Sequence, residues 1–378
     1  METLLGIKKY FSNDDNKTEL LNLILWFIIV RISIVGIYYI LGELNIDYLS
    51  KLYDSEYYVR IAKYGYTNDI DFAFFPLIPI IIRFIGVPGI ITINNIASFV
   101  NTFLLYYICN TYYNKDSAYY AAKLYIVSPI QIYTMVPYTD NLFITLTLLS
   151  VLMYSKKKYI GCGLILGLSI MCRSTGSALF FALFIYDIYK LLKVRYSSSN
   201  KRKDEYIRED ICKFFKVYIP AAIIAMIYPV YCYIRTKNLF FWIKVQEHWL
   251  KEKTNIVTFI PKSIYNVFKY SHNHEITPVV IAAILTDFVI VILYIFELIR
   301  YKNKKDINFM IVIMMLLFVS TSIKGDYIPL TSYPRYLLVV YPLYIMMASH
   351  SKKTYYTYIL QALQLWMCAL FAHSAYFF

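Results

Sequence analysis

The chain is predicted to be an all-α, polytopic integral membrane protein, and three features of the sequence carry that prediction. Of its 378 residues, 59% are apolar and only 16% charged, well outside the range of soluble domains. The charges cluster and leave long apolar runs between them; a run of about 20 apolar residues crosses the hydrocarbon core as a helix. Alternation of apolar and polar residues is weak, which favours helices over a β-barrel. About ten to eleven membrane-crossing helices are expected on this length criterion.

The elements follow in order. A first span is expected over 20–42, then a polar, Tyr-rich loop over 43–75. Residues 76–87 hold prolines and read as a short interfacial or re-entrant helix. Spans over 88–110, 118–135 and 140–154 come next. The stretch 159–192 is too long for one crossing and reads as two short helices broken at Arg173-Ser174-Thr175-Gly176. A basic loop, 193–213, leads to a span over 214–234; a second large polar loop covers 235–275. The last spans are 276–299, 307–323, 334–349 and 354–375, and the whole of 1–378 reads as a single membrane-embedded domain.

The net charge of +14 raises the question of nucleic acid. The positions of the basic residues argue against it. They sit in short segments between apolar runs, at 156–158, 190–216, 300–305 and 352–353, as orientation signals do. With Lys8 and Lys9 on the cytoplasmic side, all of these fall on that side too, provided 159–192 enters and returns as a hairpin. The loops 43–75, 136–139, 235–275 and 324–333 then face outward or into a lumen. A single crossing at 159–192 would invert every later loop and part Arg335 from Asp54. The N-terminus shows no cleavable signal pattern, since its first apolar run follows a polar stretch and is long enough to remain a helix. The cysteines Cys109, Cys162, Cys172, Cys212, Cys232 and Cys368 form no CxxC pair and read as buried thiols.

Residues able to do chemistry gather in the expected outer segments. The first reads YDSEYYVRIAKYGY and then TNDIDFAFFPLIP, with Asp54, Glu56, Arg60, Asp69 and Asp71 among aromatic residues. Tyr57, Tyr58, Ile61, Ala62 and Tyr64 would share one face of an interfacial helix. Such a helix holds Asp54 at headgroup depth, where a carboxylate can act as general base. Asp140 follows Pro137-Tyr138-Thr139 and reads either as a helix N-cap or as a site acid. Arg173 lies at depth between two apolar helices, where a charge is costly and marks a functional site or a structural pair. Arg31, inside the first span, would partner an acid or snorkel. The segment NLFFWIKVQEHWLKE suggests an aromatic interfacial helix, with Gln246, His248 and Trp249 facing a sugar. His272 and His274 lack a third metal ligand in view. Arg335, in LTSYPRYLLVVYPLY, is placed for a phosphate at headgroup level.

Five of these segments, taken in order, resemble the PIG-V mannosyltransferase family of the GT-C class of membrane glycosyltransferases. YDSEYYVRIAKYGY with DFAFFPLIP is similar to the family's Trp-Asp, Ile-Ala, Gly-Tyr and Ala-Phe-Phe-Pro pattern, with Tyr53 where Trp is usual. LYIVSPIQIYTMVPYTDNLF is similar to its Ser-Pro followed by Tyr-x-Glu, with Asp140 in place of Glu. GLILGLSIMCRSTG, FFWIKVQEHW and SYPRYLLVVYPLY match its Arg-x-x-Gly, its Gln and Trp, and its Arg-Tyr.

The resemblance implies an inverting transfer of a hexose, mannose first, from a polyprenyl-phosphate sugar to a lipid-linked or glycan acceptor, as in GPI-anchor-like biosynthesis. It implies Asp54 as catalytic base, Arg335, Arg173 and Arg60 as donor-phosphate ligands, and Asp140, Gln246, Trp249 and Tyr66 as acceptor or sugar contacts. No cofactor and no metal are expected, although Asp69 and Asp71 have DxD spacing. The partners implied are the donor, the acceptor, membrane lipids and a small membrane subunit. The compact loops look more like a prokaryotic relative. The membrane would be the cell membrane in a prokaryote or the endoplasmic reticulum in a eukaryote. The rival readings are a lipid or oligosaccharide flippase, which predicts paired broken helices and midplane charge, a polysaccharide polymerase or ligase, which predicts a large outer loop rich in Arg and His, and a non-catalytic scaffold.

Overall fold

The computed structural model describes residues 14–113, 115–197, 203–246, 265, 269, 278–301, 307–320, 333–350 and 355–373. Among these residues the chain is helical, with no strand. Among the described residues three helices are, by length and composition, able to cross a membrane alone, and a bent pair at 129–155 has the make-up of a broken span or a re-entrant loop. The longest apolar faces turn outward rather than inward. On α1 (Asp14–Ile40), Leu21, Leu25, Ile28 and Ile32 are exposed. Such a surface is at home in lipid and not in water; the chain is an integral membrane protein.

The segment expected as the first outer loop is ordered into α2 (Ile46–Lys51), α3 (Asp54–Tyr64) and a 3-10 turn at Asp69–Ala73. On α3, Ser55, Tyr58, Ile61 and Ala62 are buried, as the apolar spacing predicts, whereas Tyr64 is 61% exposed and leaves that face. The next helix, α4 (Leu77–Tyr112), has 36 residues, about 54 Å at 1.5 Å per residue and too long for one straight crossing. It breaks at Gly86, whose φ of +72° favours glycine, with Pro88 just beyond. This divides it into the short segment and the span that the sequence predicts.

The expected span over 118–135 is not a span. The helix α5 (Lys115–Ile126) has only 12 residues and gives way to a 3-10 helix, Pro129–Met135, bent by 115° from α6 (Asp140–Ser155). Ser128-Pro129 stops the α-helix, because proline disfavours helical geometry in the residue before it. Residues 124–141 are buried throughout. Irregular backbone at this depth needs partners other than water, and side chains supply them. Asn94 Nδ2 donates to the carbonyls of Val136 and Tyr138, both at 3.0 Å. Asn95 Nδ2 donates to that of Thr134 at 3.1 Å, and Gln364 Nε2 to those of Ile126 and Ser128 at 3.0 and 2.8 Å. Arg31 belongs to the same frame. It neither snorkels nor meets an acid among the described residues; it donates to Ser98 Oγ at 2.6 Å, Thr134 Oγ1 at 2.5 Å and the Gln131 side chain.

The stretch 159–192 forms α7 (Tyr159–Cys172) and α8 (Gly176–Ser197), broken at Arg173–Thr175, and α7 packs on α6, α8 and α9 (Lys203–Thr236). The basic segment read as a loop over 193–213 is largely the end of α8 and the start of α9, since Lys and Arg are good helix formers. A Cβ on Gly163 would lie 2.2 Å from the Val217 carbonyl oxygen, so glycine lets α7 and α9 meet backbone to backbone. Gly163→Ala is expected to destabilise the protein by about 1–3 kcal/mol through overpacking, read as a lowered thermal midpoint in detergent. The remaining helices are α10 (Phe241–Lys244), α11 (Pro278–Arg300), α12 (Ile307–Ser320), α13 (Tyr333–Leu338), α14 (Pro342–His350) and α15 (Tyr355–Ala372).

Candidate active site

Four charged residues far apart in sequence meet in one buried cluster. Asp54 is the first residue of α3, Asp140 the first of α6, Arg173 the residue just after α7, and Arg335 lies in α13. The Arg335 guanidinium joins the two acids. Its Nη1 donates to Asp54 Oδ2 at 2.5 Å. Its Nε lies 3.0 Å from both Asp140 oxygens and its Nη2 2.9 Å from Asp140 Oδ2. Arg173 Nη1 reaches Asp140 Oδ1 at 2.5 Å. The Asp140 side chain is 0% exposed and that of Arg335 4%, whereas that of Asp54 is 30% exposed. The inner three groups therefore form a buried frame, and the Asp54 carboxylate is the member that reaches outward. The contact of Arg335 with Asp54 also requires both to lie at one depth, as the hairpin at 159–192 predicts.

Aromatic rings close the cluster from below. The Tyr138 ring lies under Arg335, with 4.0 Å from the guanidinium carbon to the ring centroid, and stacks on Tyr133 at 5.5 Å. Arg173 sits over Tyr336 at 5.0 Å. The Asp54 amide donates to the Tyr138 hydroxyl at 3.3 Å. Just before it, Tyr53 has φ +48° and ψ −117°, a conformation that costs a non-glycine residue about 1–3 kcal/mol and concentrates at functional sites. Burial raises the Tyr58 phenol above its ordinary range, and the neighbouring Asp54 charge adds to that, so Tyr58 stays neutral beside the carboxylate. Three buried hydroxyls without hydrogen-bond partners among the described residues, Ser55 Oγ, Thr139 Oγ1 and Thr175 Oγ1, lie within two residues in sequence of Asp54, Asp140 and Arg173.

The other predicted site residues lie elsewhere. Arg60 pairs with buried Asp71, whose Oδ2 also accepts the Thr67 and Asn68 amides at 3.1 and 2.9 Å. That carboxylate, one half of the DxD spacing, is thus engaged in closing the turn. Tyr66 is buried among Phe72, Tyr228 and Tyr231, with its hydroxyl donating to the Phe74 carbonyl at 2.8 Å. It lines an apolar cavity of about 290 Å³ together with Ile61, Pro79, Arg83, Met171 and Ile227. Gln246 Nε2 lies 3.4 Å from the Trp242 carbonyl. Trp249, His248, His272 and His274 are outside the described residues. Among the described residues no group of three or more His, Cys, Asp or Glu is placed to hold a metal ion. Sequence reasoning gave Tyr138 and Asp71 no functional role; a tyrosine two positions before a site acid was the available signal for the first.

A family model described as dolichyl-phosphate-mannose-protein mannosyltransferase matches residues 72–203, about a third of the chain. That segment carries Asp140 and Arg173 and stops short of Asp54 and Arg335. The matched family is a glycosyltransferase family and is not the PIG-V family that the motifs resemble. Among solved structures, ArnT from Cupriavidus metallidurans bound to undecaprenyl phosphate is similar with a TM-score of 0.46 and 12% identity over 86% of this chain. This chain covers 59% of that one. No curated protein sequence matches.

Proposed function

We propose that the protein is a membrane glycosyltransferase that moves a hexose, mannose first among candidates, from a polyprenyl-phosphate sugar to a hydroxyl of a lipid-linked or glycan acceptor. The observation that carries the reading is the Asp54–Arg335 pair. It sets a partly exposed carboxylate beside a guanidinium that a buried acid holds in place. The motif resemblance and the family match over 72–203 support the same class.

The chemistry is a single displacement. The acceptor hydroxyl oxygen forms a bond to the anomeric carbon and gives its proton to Asp54. The bond from that carbon to the phosphate oxygen breaks, and its electron pair leaves with the polyprenyl phosphate. The leaving phosphate needs charge stabilisation rather than a proton. Arg335, fixed through Nε and Nη2 by Asp140, supplies preorganised positive charge. Arg173 adds to it from the far side of the same carboxylate. In this scheme Asp140 is a positioning residue for the two arginines, not a sugar contact. Arg60 serves the Asp71 turn, and Tyr66 is wall of the apolar cavity, which has the character required by an isoprenoid chain. Gln246 is the remaining described candidate for an acceptor contact.

The test offers purified protein in detergent three donors, polyprenyl-phosphate mannose, polyprenyl-phosphate glucose and GDP-mannose, with membrane lipid extract as acceptor. Transfer from a polyprenyl-phosphate sugar is expected. Use of the nucleotide sugar alone, or movement of lipid without transfer, would remove the proposal.

A further inference from the structure

We infer that Tyr138 is a positioning residue that sets the geometry of Asp54 and Arg335 at once, an inference that rests on the function proposed above. The residue is fully buried and makes two contacts that a core tyrosine has no need of. Its hydroxyl accepts the Asp54 amide at 3.3 Å, and its ring faces the Arg335 guanidinium at 4.0 Å. The first contact falls on the peptide that follows the strained Tyr53. A backbone in that conformation relaxes unless its surroundings hold it. The Tyr138 hydroxyl is one such hold, and it acts at the amide of the residue whose carboxylate must meet the acceptor.

The second contact acts on Arg335. A guanidinium over an aromatic face is attracted to it, more strongly when water is excluded. With Asp140 gripping its edge and Tyr138 under its plane, Arg335 is held on two sides, and its Nη1 donates to Asp54. Tyr138 is itself held: its backbone carbonyl accepts Asn94 Nδ2 at 3.0 Å, and its ring stacks on Tyr133. The bent 129–138 segment thus carries the order of the membrane-buried frame to the two reacting-site charges. Both halves of the inference can be separated, since the hydroxyl serves Asp54 and the ring serves Arg335.

The experiment compares wild-type, Tyr138→Phe and Tyr138→Leu full-length proteins in the donor assay, with thermal midpoints measured alongside. Tyr138→Phe keeps the ring and loses one hydrogen bond. Its kcat is expected to fall about three- to tenfold, with the donor KM unchanged and the thermal midpoint near that of wild type. Tyr138→Leu also removes the face under Arg335 and is expected to raise the donor KM as well. A Tyr138→Phe protein with wild-type kcat, or one whose kcat and KM both follow a lowered thermal midpoint, would overturn the inference. So would a Tyr138→Leu protein with unchanged donor KM. If the wild-type protein itself transfers no sugar, it is the proposed function that fails.

Discussion

Asp54→Asn is expected to lower the rate of sugar transfer by about 10²–10⁴-fold, the usual worth of a general base. The substitution keeps the size of the side chain and removes the proton acceptor. Asparagine can still receive the Arg335 Nη1 hydrogen bond through its amide oxygen, and Arg335 retains its two-pronged grip on Asp140. The scaffold is therefore expected to survive, with the thermal midpoint near wild type and binding of polyprenyl phosphate retained. The loss should appear in kcat. Turnover within about threefold of wild type would show that Asp54 does not take the proton. Among the described carboxylates of the cluster, Asp54 is the partly exposed one, whereas Asp140 is fully buried under two arginines.

Asp140→Asn is expected to damage the fold as well as the reaction. Removing one partner from a buried charge network leaves the others uncompensated, at a cost of about 3–5 kcal/mol. Here the remaining charges would be two arginines that share one neutral amide, with Asp54 still paired to Arg335. The thermal midpoint in detergent should drop sharply, and donor binding should be lost with it. The contrast is the surface pair Lys51–Asp47, whose side chains are 65% and 73% exposed. Asp47→Asn there is expected to change nothing measurable, since exposed pairs contribute little. Equal, small effects of the two substitutions would mean that Asp140 does not organise the site.

The sequence carried the class of fold plainly, because long apolar runs have few other solutions. It also carried the break at Arg173–Thr175 and the kink at Gly86, where glycine, proline and a charge interrupt those runs. The bent 126–141 segment was harder to see. Its residues are as apolar as a span, and the interruption is a Ser-Pro pair that is also compatible with a kinked helix. What identifies it is a set of amides, Asn94, Asn95 and Gln364, that reach backbone carbonyls from helices 39 to 238 residues away in sequence. No local pattern reports such pairings. The site was legible in part for the same reason. Asp54, Asp140, Arg173 and Arg335 each stood out as a charge beside an apolar run. That Asp140 faces arginines, and that Arg60 is taken by Asp71, depends on which helix ends meet. The low charge content made the convergence of the four predictable in kind, since charges at depth seek one another, but not in its pairing.

The proposed reaction requires that the cluster break the bond between a sugar and a lipid phosphate. A single-turnover reaction with doubly labelled donor, carbon label in the sugar and phosphorus label in the polyprenyl phosphate, tests it most directly. The carbon label is expected to pass to the acceptor while all of the phosphorus label stays in polyprenyl monophosphate. Phosphorus label in the acceptor product, or a donor that crosses the bilayer with both labels still joined, would contradict it.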